Sequence, residues 1–202
     1  MNSEPMQTAA QRRNLLVLGV TGGLGIASLV VLLATLLLTG TAAAGQVATA
    51  QSVTARAETC KEQTFPNLGQ KHTEIANEKI KYNSFPPTSG KHLVSPARWG
   101  NYPTPINQVQ GVHNLEHGGI VIQYGSKISS SDLDRLMGYY DDDSNGILMA
   151  PLPALGNKIA ATAWQKLLTC TKFDKKALDS FKKKHRYKAP ERLPKEALEP
   201  GR

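Results

Sequence analysis

His113 and His117 stand four residues apart in the segment His113-Asn114-Leu115-Glu116-His117. On a helix that spacing puts both imidazoles on one face, within reach of one metal ion. Gly118-Gly119 follows at once, and backbone without a Cβ lets another segment come close. A third imidazole, His92, lies in Pro86-Pro87-Thr88-Ser89-Gly90-Lys91-His92, a loop stiffened by two prolines. His92, His113 and His117 are therefore expected to converge on one transition-metal ion. Glu116 sits at the edge of the face shared by the pair and reads as a carboxylate that orients an imidazole. Of the two other histidines, His72 lies in the same region without an assigned role, and His185 is expected to have none.

Three imidazoles suit copper or zinc alike. Copper is favoured by a candidate fourth ligand, the thioether of Met149, provided that its strand lies beside the segment from Gly119 to Tyr124. The expected function is handling or sensing of that metal. The alternative is a non-catalytic interaction domain in which the histidines only hold loops together. His-x-x-Glu-His is also the inverted pattern of zinc peptidases, where the Glu is a general base, so a zinc peptidase is a second alternative. The helix is short for it, and no acidic third ligand stands out.

Other chemistry finds little support. Asp141-Asp142-Asp143-Ser144-Asn145-Gly146 opens like a calcium loop, but position 12 is Leu152 where the bidentate Glu belongs, so it reads as an acidic turn. There is no Gly-rich phosphate loop and no nucleophile elbow, and no catalytic residue is assigned.

The elements that must position these groups follow from periodicity. A strand is expected over Lys79 to Tyr82, a loop over Phe85 to Trp99, and a helix within Ile106 to His117. Gly119 to Tyr124 reads as a buried strand. Ser131 caps a helix running to Tyr140, with Leu133, Leu136, Met137 and Tyr140 on one face. Strands follow over Ile147 to Ala150 and Ile159 to Trp164. Asp174 caps a last helix whose apolar face is Ala177, Leu178 and Phe181. The expected domain, residues 59–190, is α+β: a small mixed or antiparallel sheet with packed helices. Residues 191–202 are expected to be a disordered tail.

The compartment is read from the other end of the chain. Leu15 to Leu38 carries no charge over 24 residues, about 36 Å as a helix against a hydrocarbon core of about 30 Å. Arg12 and Arg13 precede it and the next charge is Arg56. Residues 1–14 are thus expected in the cytoplasm, 15–38 in the membrane as a single span, and 39–58 as a linker outside. A cleaved secretory signal is the alternative. Cys60 and Cys170 are the only two cysteines, and an even count outside the cytoplasm suggests one disulfide. The net charge of +8 is concentrated after Thr171. A solvated helix explains that better than nucleic acid, which lies across the membrane from the domain.

Several of these residues resemble a known family. Pro86-Pro87-Thr88-Ser89-Gly90-x-His92, Trp99-Gly100-x-Tyr102, and His113-x-Leu115-Glu116-His117-Gly118-Gly119 with Ile120-Val121-Ile122-x-Tyr124 are similar to the family called domain of unknown function 3105. So are Ala150-Pro151, Ala163-Trp164 and Phe173-Asp174. The resemblance runs from about Cys60 to Glu191. It implies a domain carried on one N-terminal span and no settled activity. Lys91 departs from it, standing where the motif often has Pro.

Overall fold

A computed structural model describes residues 59–202. The expected cytoplasmic segment, span and linker all lie outside the described residues. Among the described residues no helix is long and apolar enough to cross a membrane.

Eight strands and three helices make up the domain. They are β1 (Cys60–Thr64), β2 (His72–Thr73), β3 (His92–Leu93), β4 (Gly100–Asn101), α1 (Gln108–Glu116), β5 (Ile120–Tyr124), α2 (Ser130–Asp142), β6 (Ile147–Pro151), β7 (Ile159–Ala163), β8 (Lys166–Cys170) and α3 (Lys175–His185). Six strands form one mixed sheet in the order β1-β8-β7-β5-β6-β4, and β2 pairs with β3 apart from it. The α+β expectation holds, and of its two sheet types the mixed one is found.

At the centre, β5 runs parallel to β6 and antiparallel to β7. Parallel neighbours need a crossover, and α2 supplies it. Side chains alternate across a strand, so β6 feeds two cores. Ile147 and Met149 join Ile120, Ile122, Leu136 and Phe181 beneath α2 and α3. Leu148 and Ala150 join Val121, Trp99, Trp164 and the α1 residues Val112 and Leu115 on the opposite face. Burying a side chain such as Leu136 or Phe181 contributes roughly 1.5–3 kcal/mol.

Several local expectations need correction. Lys79 to Tyr82 forms no strand; the hydroxyl of the half-buried Tyr82 donates to the Lys91 carbonyl at 2.7 Å. The α2 helix is capped by Ser129, whose hydroxyl accepts from Asp132 N at 3.1 Å, and not by Ser131. β1 and β8 were not foreseen. A two-residue connection, Trp164-Gln165, turns β7 into β8, and Gln165 takes φ 64° to make it. β1 then adds to the outside of β8, with Cys60 opposite Cys170, and these two cysteines form a disulfide.

The tail is folded where a disordered one was expected. A short 3-10 turn at Lys195–Leu198 seats Leu198 with 0% exposure. The Leu198 carbonyl accepts from Gly146 N, and Trp99 exchanges backbone hydrogen bonds with Gly201 and Arg202. Charged neighbours mask this leucine in any average over the segment, yet one buried leucine and its hydrogen bonds hold the strap. The acidic turn after α2 is structural too: Asp143 pairs with Arg186 through two bonds of 2.8 Å.

Candidate metal centre

The helix that carries the pair begins at Asn107, whose side chain accepts from Val109 N at 2.9 Å. It ends at Gly118-Gly119. A Cβ on Gly119 would lie 2.1 Å from the Trp99 ring, so only glycine lets the indole close over the end of the helix. Asn114, fully buried, ties the chain before Trp99 to this helix. Its amide donates to the Ala97 carbonyl at 2.8 Å and its oxygen accepts from Ala97 N at 2.9 Å. The loop bearing His92 is held with equal care. Thr88 and Ser89 are fully buried, the Thr88 carbonyl accepts from Gln165 N, and Gly90 takes φ +121°, a conformation suited to glycine.

These constraints settle the hydrogen positions on two imidazoles. His92 Nδ1 lies 2.7 Å from the Gly90 carbonyl and His113 Nδ1 lies 2.6 Å from the Leu93 carbonyl. A carbonyl only accepts, so each Nδ1 carries the hydrogen, and the lone pair of each neutral ring is on Nε2. Both rings are buried, and their centroids are 4.9 Å apart. His92 Nε2 meets Glu116 Oε2 at 2.9 Å. Glu116 is itself buried, and its Oε1 accepts from the Gln70 amide at 2.8 Å.

A fourth group completes the set. The short β2–β3 ladder places His72 directly opposite His92. His72 Nε2 lies 3.5 Å from Glu116 Oε2, and its ring stacks on that of His113 with centroids 5.1 Å apart. Its side chain is 45% exposed, so it forms the solvent side of the cluster. Ligand atoms of His72, His92, His113 and Glu116 all lie within 4.8 Å of one another, a group that could hold a metal ion.

His117 belongs to the neighbouring group. Its Nε2 is 3.0 Å from His113 Nε2 and 3.2 Å from Glu191 Oε2. Burial lowers the pKa of both His113 and His117; the Leu93 carbonyl opposes this at His113, and Glu191 and Glu116 oppose it at His117. The net downward direction keeps these rings neutral, and a neutral imidazole is what a metal needs.

The structure thus brings His92 and His113 together as expected and adds His72, which was not assigned. Glu116 points into the cluster, with its Oε2 facing both His92 and His72 and its Oε1 accepting from Gln70. The thioether expectation is corrected. β6 does lie beside β5, but Met149 is on the face that packs against α2, with 0% exposure, whereas α1 covers the other face. Alternation across the strand separates Met149 from the histidines by the thickness of the sheet. His185 is apart from the cluster and pairs with Glu62 at 2.8 Å. In the peptidase pattern the Glu must be free to act on water; here both Glu116 oxygens are engaged within the cluster. Two surface clefts, of about 680 and 580 Å³, are lined by other residues.

Sequence reasoning missed His72, Gln70 and Glu191. The only trace was the crowding of four of the five histidines between positions 72 and 117.

A family model described as "Protein of unknown function (DUF3105)" matches residues 72–197, well over half of the chain. No curated protein and no solved structure matches it.

Proposed function

The chain belongs to the family of unknown function DUF3105, and we propose that its domain binds one divalent transition-metal ion through His72, His92, His113 and Glu116. One observation carries this reading. Two buried imidazoles each give their Nδ1 hydrogen to a backbone carbonyl, which leaves both Nε2 lone pairs for an ion; that of His92 meets a buried carboxylate, and the ligand atoms of the group lie within 4.8 Å of one another. Metal-bound histidines are oriented in this way by their second nitrogen. At 2.9 Å, His92 Nε2 and Glu116 Oε2 hold one proton between them; an ion bound to both takes its place and releases it.

Three imidazoles and a carboxylate suit zinc and other divalent first-row ions. Copper was favoured for a thioether, and with Met149 on the far face that argument lapses. We place the site outside the cytoplasm, held by a membrane span. Support comes from the uncharged run of residues 15–38 behind Arg12-Arg13 and from the Cys60–Cys170 disulfide. Its role there is to hold or sense the metal in the cell envelope.

Equilibrium dialysis of the full chain against zinc tests the reading. One ion per chain is expected, with affinity falling by at least about 100-fold in His92→Ala and His113→Ala. No bound zinc, or binding that survives both changes, would leave the histidines as structural groups of an interaction domain.

A further inference from the structure

The first ligand set shares an atom with a second. His113, His117 and Glu191 also bring their ligand atoms within 4.8 Å of one another. Glu191 comes from the strap after α3, and backbone bonds hold it in place. Glu191 N donates to the Glu116 carbonyl at 3.1 Å, and Tyr187 N donates to that of Gly118. The Glu191 carboxylate therefore lies at the C-terminal end of α1, where the helix dipole favours a cation. The Glu191 side chain is 54% exposed and that of His117 12%, while the side chains of His92 and Glu116 are 0% and 3% exposed.

His113 has only one lone pair to give. Its Nδ1–H is committed to Leu93, so Nε2 must serve either set. At 3.0 Å that same Nε2 also accepts the His117 Nε2–H. The two sets thus compete for one atom and cannot both be filled.

We propose that the sets are alternate positions of a single ion: an inner one at His72, His92, His113 and Glu116, and an outer one at His113, His117 and Glu191. This rests on the metal-binding reading above. His113 is the pivot that stays bound while the other ligands change. The outer position has fewer protein ligands and opens to solvent at Glu191, so a donor or acceptor can add its own ligand there. Exchange then proceeds by stepwise ligand substitution, without stripping the ion bare. The partner class is a metal carrier or chelating side-chain cluster that meets the surface beside the strap.

The test uses the full chain, zinc, and a chromophoric chelator that takes zinc up or delivers it in stopped flow. The wild type should bind one ion. Glu191→Ala and the shape-preserving Glu191→Gln should slow loading and removal together, by about tenfold. Glu196→Ala, an exposed strap residue outside both sets, should exchange at the wild-type rate. Two ions per chain would overturn the proposal. So would unchanged rates in both Glu191 variants, which would put exchange past the exposed ring of His72, or faster removal with unchanged loading, which would make Glu191 an ordinary ligand. A wild type that binds no zinc would strike the metal-binding reading itself; a failure confined to the Glu191 variants would strike only the outer position.

Discussion

His92 Nε2 and Glu116 Oε2 lie 2.9 Å apart, with the two side chains 0% and 3% exposed. Burying such a pair brings a desolvation cost that its own attraction seldom repays. Keeping an imidazole and a carboxylate there, with a second buried imidazole whose ring centroid is 4.9 Å from that of the first, is the arrangement expected of a site that gains its stability from a bound cation.

Zinc should therefore raise the stability of the domain. Linkage gives about 2.7 kcal/mol at a free ion concentration 100 times the Kd. Thermal unfolding with and without zinc measures it, and His92→Ala should abolish the increment.

Met149→Leu should leave metal binding unchanged and cost less than about 1.5 kcal/mol in stability, because it swaps one buried side chain for another of similar volume. Parallel zinc titration and urea unfolding of this variant check both halves. A loss of affinity would return the thioether to the site.

The strap should matter to stability as a core element does. Leu198→Ala is expected to destabilise the domain by about 2–5 kcal/mol, since it empties a fully buried position between Gly146 and Trp99. Denaturant unfolding decides this; a change near zero would mean that the strap does not bear on the core.

Asp143 gives a pH prediction. Two bonds to Arg186 hold its carboxyl down, against a smaller effect of burial, at a pKa of about 2 against the usual 3.8. A depressed carboxyl contributes stability that is present above pH 3.8 and lost as pH falls towards 2. The side chain is 40% exposed, so solvent screening limits the contribution to roughly 1 kcal/mol. Asp143→Asn should remove that part of the acid limb of the stability curve and little else.

Reducing the disulfide should cost stability as well. For a loop of about 100 residues the chain-entropy argument gives about 4.7 kcal/mol, less any native strain. The comparison is unfolding of the oxidised chain with that of the double variant Cys60→Ala, Cys170→Ala. Equal midpoints would contradict it.

What was legible in the sequence follows from the range of each signal. The i, i+4 spacing on α1 and the proline-stiffened loop are local, so His113 and His92 could be read directly. His72 could not, because its place depends on a two-residue ladder formed with a strand twenty residues later. Met149 shows the converse. Its strand and that strand's neighbour were both correctly read, but which face a strand turns to which helix is set by packing. β1 is polar apart from Cys60, and β8 offers only the adjacent pair Leu167-Leu168, so neither carries the apolar run that marked β5. Leu198 lies among prolines and charges, so composition pointed to disorder where a single buried side chain makes order.

The measurement that bears most directly on the metal centre is competitive zinc titration of the full chain in three forms: wild type, His72→Ala and Glu116→Gln. His72 is the proposed ligand that only the folded ladder supplies, and Glu116 is the one that the spacing marked as an orienting group. One zinc ion per wild-type chain, with affinity reduced by about 100-fold or more in each variant, is the predicted result. Wild-type affinity retained in both variants, or no zinc bound by the wild type, would contradict it.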